Sequence, residues 1–579
     1  MPIKRLSLTA NHYAGHYDPT SGSQNLKNED VPVSENMRVS SIGGRSMRLG
    51  ATKKITGGDG FPILSIGSFP MHDVLFYHAY GSVQQVADVD TDQFSQLAIY
   101  VANSTSQGYF HPYGKQMFFV SPDHPFSRIV VSKLAADCLT AAVTATVRAG
   151  DGSIFAVTSG DNPSTLNFIN GDVTSITGIS GDDLTIDASG NDHFSGEIVS
   201  QTFQPSGAPK GTCISDLEGS LLVGGNPNNP KIIYFSAAET AANPEYIYDF
   251  SANGAGSHQM PSDVTALFKG TGVVLIGMKR GISYAYGFDA DSGGLRTRDL
   301  TYEHGVPNAY CITQLGPRYY VFTGKRVLPV VVDAGAAAIV DDPTNPFAAF
   351  DYRVRGELDQ ADADQSSSFI HADPTANELH VTYFVNGLSR TLVWDGDTGK
   401  WVSKDNTNYS CKTMHLGRCY AGSNSDERIY LTNDGLTDDG VPVASRMLTK
   451  TFSIPGASST FRKFSFSGFL SPTGQFTLRV YIDGVFDFER VITAEDMIAA
   501  GLMSTTSGRP IGSGTIGAVT VGSGGNTASI YAFTYPITLK HRAKDMQIEF
   551  EVTEEGSFLE ITESRLDLET SGNLLLTSQ

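Results

Sequence analysis

Few of the residues that could do chemistry have the spacing to do it. His12 and His16 are four apart, as in a helical metal pair, but the intervening Tyr13-Ala14-Gly15 lies in a turn-rich stretch that reads as a surface loop. Asp88, Asp90 and Asp92 open like a calcium loop, yet Gln93 stands where that loop needs glycine and Ile99 where it needs glutamate. Asp289-Ala290-Asp291-Ser292-Gly293-Gly294 has the composition of a tight turn as much as of an ion loop. The acidic pairs Asp438-Asp439 and Glu554-Glu555 also fall in turns, and the chain has no G-x-S-x-G, Walker, dinucleotide-binding or H-E-x-x-H sequence. No catalytic residue, cofactor site or metal site is expected, and the chain is read as a protein that is not an enzyme.

The 579 residues are 40% hydrophobic and 18% charged, which describes folded domains and not a disordered chain. A net charge of −20 argues against sequence-reading nucleic-acid binding, which needs a dense basic face. The same charge on a channel wall would let DNA slide past without sticking. Five cysteines (Cys138, Cys213, Cys311, Cys411 and Cys419) form no C-x-x-C pair and read as free thiols in a reducing cytoplasm. The start of the chain lacks the apolar core of a signal peptide, and the Ala-rich run Val327 to Val340 is too short to span a bilayer. A soluble protein with no membrane insertion is expected.

These residues are positioned by many short strands. From Ser215 to Gly435 a module recurs: apolar strand, tight turn, apolar strand, often ending in Tyr or Trp. Examples are Leu221-Leu222-Val223-Gly224 into Ile232-Ile233-Tyr234-Phe235, and Glu378 to Tyr383 into Thr391-Leu392-Val393-Trp394. Asn386-Gly387, Asp395-Gly396 and Asn433-Asp434-Gly435 mark turns suited to positive φ. The segment Asp395 to Trp401 is similar to the aspartate box of sialidase-like propellers, but Trp401 is displaced from the box position. Trp394 and Trp401 are therefore expected to pack between blades.

The fold expected is all-β: a β-propeller of six to eight blades, with an inserted β domain and a C-terminal β-sandwich. Its divisions are an N-terminal arm or loop layer at 1–60, a first propeller part at 61–139, an insertion at 140–211, the main propeller at 212–445 and a sandwich with tail at 446–579. One helix, Ile492 to Met503 capped by Thr493, is predicted. In the arm, Arg38, Arg45 and Arg48 stand among glycines and are expected at a subunit interface, reaching acidic groups of a neighbour. The final residues, 571–579, read as a loose tail or an edge strand lent to a neighbour.

In order along the chain, several runs resemble the propeller-bearing tail proteins of short-tailed bacteriophages, the tail nozzle and tail stabilisation family. They are Glu35-Asn36-Met37-Arg38 with Gly43-Gly44-Arg45 and Arg48-Leu49-Gly50, then Gly225-Asn226-Pro227 with Ile232 to Ser236. Asn243-Pro244-Glu245-Tyr246, Asp249-Phe250, Asp263 to Leu267 and Gly305-Val306-Pro307-Asn308-Ala309 follow. The resemblance covers residues 30–60 and 212–560 and has no counterpart for the insertion. It implies a virion tail protein, assembled in the host cytoplasm into a ring of six copies beneath the portal and adaptor. Other tail or fibre proteins would be neighbours, and genomic DNA a passing cargo. Two alternatives stand beside it: a receptor-binding or glycan-processing propeller of a phage tail, and a baseplate hub of a long-tailed phage.

Overall fold

The Asn386-Gly387 dipeptide illustrates how the repeats are made. Asn386 at φ +53° and Gly387 at φ +74° close a two-residue turn, so Val385 faces Leu388 and the hairpin Glu378–Val385 with Leu388–Asp395 pairs in full register. Asp395-Gly396 works differently from expectation. Its positive φ falls at Gly399, and a Cβ at Gly396 would lie 2.6 Å from the amide end of the Asn377 side chain, which would have to turn aside.

The computed structural model describes residues 4–11, 13–21, 26–27, 29–40, 42–56, 61–88, 93–100, 106–152, 155, 165–169, 172–203, 207–238, 249–289, 293–333, 335–340, 348–453, 459–503, 509–510 and 529–570. The expected Asp88/Asp90/Asp92 cluster, the 289–294 loop, the Asn243-to-Tyr246 run and the 571–579 tail lie wholly or partly outside them.

Hairpins of this kind build a β-propeller. Five blades are each four consecutive antiparallel strands, starting at Ile63–Phe69, Cys213–Leu217, Val264–Lys269, Ile312–Leu315 and Phe369–Asp373. Two further four-stranded units borrow a strand from elsewhere. Tyr109–Tyr113, Gln116–Val120 and Ser127–Lys133 are completed by Ile198–Phe203, and Tyr409–His415, Arg418–Ser423 and Arg428–Thr432 are completed by Ala51–Thr56 from the arm. The first strand of each unit lies against the first strand of the next, and the ring closes from the Tyr409 unit back to the Ile63 unit. Among the described residues this makes seven blades, numbered below from Ile63–Phe69. The borrowed Ala51–Thr56 ties the last blade to the N-terminal part of the chain.

The core lies in the seams between blades. Apolar side chains from facing sheets fill several of them: Phe76, Phe110 and Phe119 between blades 1 and 2, Phe118, Phe126 and Ile214 between 2 and 3, and Tyr320 and Trp401 between 5 and 6. Phe350 sits 5.3 Å from both tryptophan rings and accepts the Trp401 indole N–H on its carbonyl at 2.9 Å. The expected packing of both tryptophans between blades is what the structure has.

Blade 2 carries the insertion. Its sheet continues outward from Ile198–Phe203 through Thr165–Phe168, Val173–Ser180, Asp183–Ile186 and Thr144–Thr146. The insertion is thus a radial extension of one blade, with a small core of its own around Leu166, Phe168 and Leu184. Within it His193 is fully buried, with Asp172 at 3.1 Å and Glu197 at 3.0 Å on its two nitrogens.

The sandwich packs a sheet of Leu559–Thr570, Ser459–Leu470 and Ser529–Ala543 against one of Asp545–Val552, Gln475–Ile482 and Val485–Thr493. Strand Gln475–Ile482 alternates as predicted, burying Phe476, Leu478 and Val480. Phe466 fills the centre, with Phe550, Phe533 and Phe476 rings at 5.1, 5.8 and 5.9 Å. The predicted helix is shorter than expected: it runs Ala494–Ala499, because Ile492 and Thr493 still belong to the preceding strand. Thr493 does cap it, accepting the Asp496 N–H at 3.1 Å. No helix among the described residues is long and apolar enough to cross a membrane.

The arm is not the loop layer expected for 1–60. Val33–Glu35 runs parallel to Lys400–Asp405 of blade 6 and antiparallel to Ser445–Leu448, fusing blade 6 and the sandwich into one ten-stranded sheet. The hairpin Met37–Val39 with Arg45–Met47 then joins the other sandwich sheet through Leu559–Thr570.

Both tryptophans of the chain lie at the blade 5–6 seam, so intrinsic fluorescence reports that seam. Trp401→Ala is expected to lower stability by about 3–5 kcal/mol, seen in denaturant titrations followed at Trp394. Trp401→Phe, which keeps most of the packing, should cost less than half of that.

Candidate functional site

Three short arm strands bring the predicted interface arginines inward. Arg38 is 8% exposed, Arg45 0% and Arg48 6%. Their acidic partners exist, as expected, but belong to the same chain. Arg38 donates both terminal nitrogens to Asp405, at 3.1 and 2.7 Å, and its Nε lies 2.8 Å from Glu378. Arg48 forms a two-pronged pair with Asp438 and donates Nε to Asn36 Oδ1 at 3.0 Å. Arg45 has no carboxylate partner in contact: it donates to Ser34 Oγ at 2.7 Å, to Gly15 O at 2.7 Å and to the Val402 carbonyl. Burial pulls the Arg45 pKa down. The expectation of a subunit-interface role for these three is corrected: they stitch the arm to blade 6 and to the segment that follows blade 7.

The His12–His16 stretch is corrected too. Tyr13, Gly15 and Tyr17 are buried. Lys400 Nζ donates to Ala14 O at 3.0 Å, and Tyr17 N donates to Trp401 O at 2.7 Å. The segment is a packed strap along blade 6, and His12 lies outside the described residues.

Arg38 belongs to a chain of polar contacts buried between blades 6 and 7. Lys412, on the first strand of blade 7, lies 2.8 Å from His380 Nδ1. An ammonium can only donate, so Nδ1 accepts, and the ring proton sits on Nε2 and points at Glu378 Oε2, 2.7 Å away. The sequence of contacts is Lys412, His380, Glu378, Arg38, Asp405. Beside it, Cys419 Sγ lies 3.5 Å from His371 Nε2. Burial drives most of the shifts here. It pushes Glu378 up to about 7 against the pull of Arg38, His371 down to about 3, Cys419 up to about 11 and Lys412 down. Asp405 goes the other way: Arg38 overcomes its burial and holds it well below the usual carboxylate range.

A thiol held that high is a weak nucleophile, and the carboxylates are tied to a guanidinium, so the cluster fastens three chain segments together. Its members span residues 38 to 419, with no local motif to find them. The available signal was Glu378, His380 and Thr382 on one face of a strand whose other face is Leu379, Val381 and Tyr383, all of them buried.

At one end of the propeller axis, loops of successive blades line an open cavity of about 850 Å³. Three of the runs named in the sequence, Gly225-Asn226-Pro227, Asp263 to Thr265 and Gly305 to Ala309, come together on its wall. The wall is held by its own polar groups. Asn308 accepts Tyr310 N–H at 2.7 Å and donates to Ser366 O and Ser368 O at 2.8 and 2.6 Å. Asp362 accepts the Asn386 and Gly387 N–H groups at 2.8 and 2.9 Å. Gly305 is required, since a Cβ would lie 2.1 Å from Lys279 O. Lys325 and the Lys279–Asp263 pair, at 4.0 Å, stand at the mouth. This is a rigid vestibule whose side chains are mostly committed to holding loops.

No family model matches the chain, and no curated protein matches it. Among solved structures it is similar to the computationally designed Ika8 protein, at 11% identity, 66% of this chain, 99% of that chain and a TM-score of 0.32. It is also similar to the β-propeller domain of Cps50 (Swd1) from Myceliophteria thermophila, at 9% identity, 66% of this chain, 98% of that chain and a TM-score of 0.34.

Removing Arg38 leaves buried Glu378 without its guanidinium and Asp405 with only Arg48, 4.0 Å away, and Arg38→Met is expected to cost about 3–5 kcal/mol in thermal or chemical unfolding. Glu378 holds its proton from the ordinary value of 4.5 up to about 7 in the folded chain. Between those pH values the folded state binds more protons than the unfolded one, so this residue costs stability as pH rises. The stability of Glu378→Gln minus wild type should therefore grow by roughly 3 kcal/mol from pH 4.5 to 7. The buried His371 and His380 work in the opposite sense below pH 6.5, which is why the difference between the two proteins is the quantity to measure.

Proposed function

We propose that this chain is a structural component of a bacteriophage tail, a nozzle or tube subunit whose task is shape. The observation that carries the reading is the single sheet that runs from blade 6 through Val33–Glu35 into the sandwich. Two domains joined by a flexible linker would move independently; two domains that share a sheet transmit force as one body. Charge supports the joint. Lys404, Glu35, Arg446, Glu549, Arg479 and Glu489 lie on successive strands across it, alternating in sign. Contacts run Lys404–Glu35 at 3.9 Å, Arg446–Glu549 at 2.8 Å, Arg479–Glu549 at 2.7 Å and Arg479–Glu489 at 2.7 Å.

In this reading copies of the chain close into a ring, six of them by the resemblance, below the adaptor and portal. The −20 charge of each copy keeps DNA from adhering as it passes. The runs Gly225-Asn226-Pro227 and Gly305 to Ala309, which carry part of the resemblance, line the axial vestibule and add support from a single place in the fold.

Electron micrographs of the purified chain, alone and mixed with its tail adaptor, test this. Closed rings with an open centre are expected in at least one of the two. A lasting monomer in both, or release of reducing sugar from host polysaccharide by the chain alone, would contradict it.

A further inference from the structure

Among the described residues, each sheet of the sandwich presents strand edges without a partner. Val485–Thr493 is the last strand of the ten-stranded sheet, paired only with Gln475–Ile482 among the described residues. Lys4–Asn11 pairs only with Leu559–Thr570 among the described residues. Proteins blunt such edges with charged side chains, proline, bulges or short strands, because a free row of N–H and C=O groups recruits another strand. Val485–Thr493 carries Asp487, Glu489 and Arg490 and a register shift at Asp487, but it has neither lysine nor proline and keeps apolar side chains in solvent. It is nine residues long, and Val485, Phe486 and Val491 are 69%, 52% and 50% exposed. Ile498, on the helix that follows, adds another exposed apolar side chain.

We propose that this edge is an interaction surface for a second copy of the chain, filled by that copy's Lys4–Asn11 segment. The lengths agree, nine residues against eight. Charge is compatible as well: Asp487 and Glu489 outnumber Arg490 on the receiving edge, each with one basic neighbour of its own (His541 at 3.1 Å, Arg479 at 2.7 Å), and the sequence of the donated segment opens with Lys4 and Arg5. Main-chain hydrogen bonds would supply affinity and the exposed apolar side chains a dry contact. Since the two edges belong to different sheets of one sandwich, each copy receives on one side and donates on the other. Such a head-to-tail contact propagates around a ring until it closes. The inference rests on the self-assembling role proposed above and adds the surface that performs it.

Sedimentation velocity of the full-length chain over a range of concentrations, joined to hydrogen exchange, tests it. The wild type is expected to self-associate, with exchange slowing in 485–493 and 4–11 together as concentration rises. Phe486→Lys/Val491→Lys should weaken association by roughly tenfold or more, while Leu388→Lys, a 58% exposed residue on blade 6, should associate as the wild type does. Three results would overturn the proposal: a monomer at every concentration, association unchanged in the double variant, or protection in 485–493 without protection in 4–11. Rings that form with the adaptor but leave 485–493 exchanging freely would sink this surface and leave the tail reading intact. Absence of assembly with or without adaptor would sink both.

Discussion

The arrangement depends on the insertion of Val33–Glu35 between blade 6 and the sandwich. Three residues offer few ladder hydrogen bonds, too few to hold two domains by themselves. The contacts that fix them are charge-assisted and buried: Arg38 on Asp405 and Glu378, Arg45 on Ser34 and the carbonyls of Gly15 and Val402, and Arg48 on Asp438. With that strand in place, the following residues have one route, through the sandwich hairpin and on to Ala51–Thr56, the outer strand of blade 7. The strand that fuses the domains and the strand that closes the ring are therefore a single continuous segment.

The polar seam between blades 6 and 7 fits the same logic. Apolar seams are non-directional, and only the shape of the packed side chains sets their register. A chain of directed contacts from Lys412 through His380 and Glu378 to Arg38 permits one register only. It lies where the arm meets the last two blades, the place at which a wrong register would leave the ring open. The vestibule at the end of the axis is held in a similar way, with Asn308 and Asp362 spent on backbone groups of neighbouring loops.

Much of the architecture was legible because it is local. Hairpins such as Glu378–Val385 with Leu388–Asp395 declare themselves by apolar strands around Asn-Gly, and Gln475–Ile482 by strict alternation. The arm does not read as strands in the sequence because Val33–Glu35, Met37–Val39 and Arg45–Met47, three residues each, are too short to display a period. Its arginines were matched to acidic partners, but a sequence cannot say whether a carboxylate some 370 positions away belongs to the same copy. The insertion stood out by composition, yet the return of Ile198–Phe203 to blade 2 was hidden, since pairing with Ser127–Lys133 skips over the whole inserted sheet.

Hydrogen exchange of the arm amides tests the central claim most directly. If the arm welds propeller and sandwich, the amides of Val33–Glu35 and Ala51–Thr56 exchange as slowly as those in the inner strands of blades 6 and 7, and all are lost together in one unfolding event. Exchange of those arm amides within seconds, while the blades stay protected, would mean that the arm is a loose strap and the two domains are separate bodies.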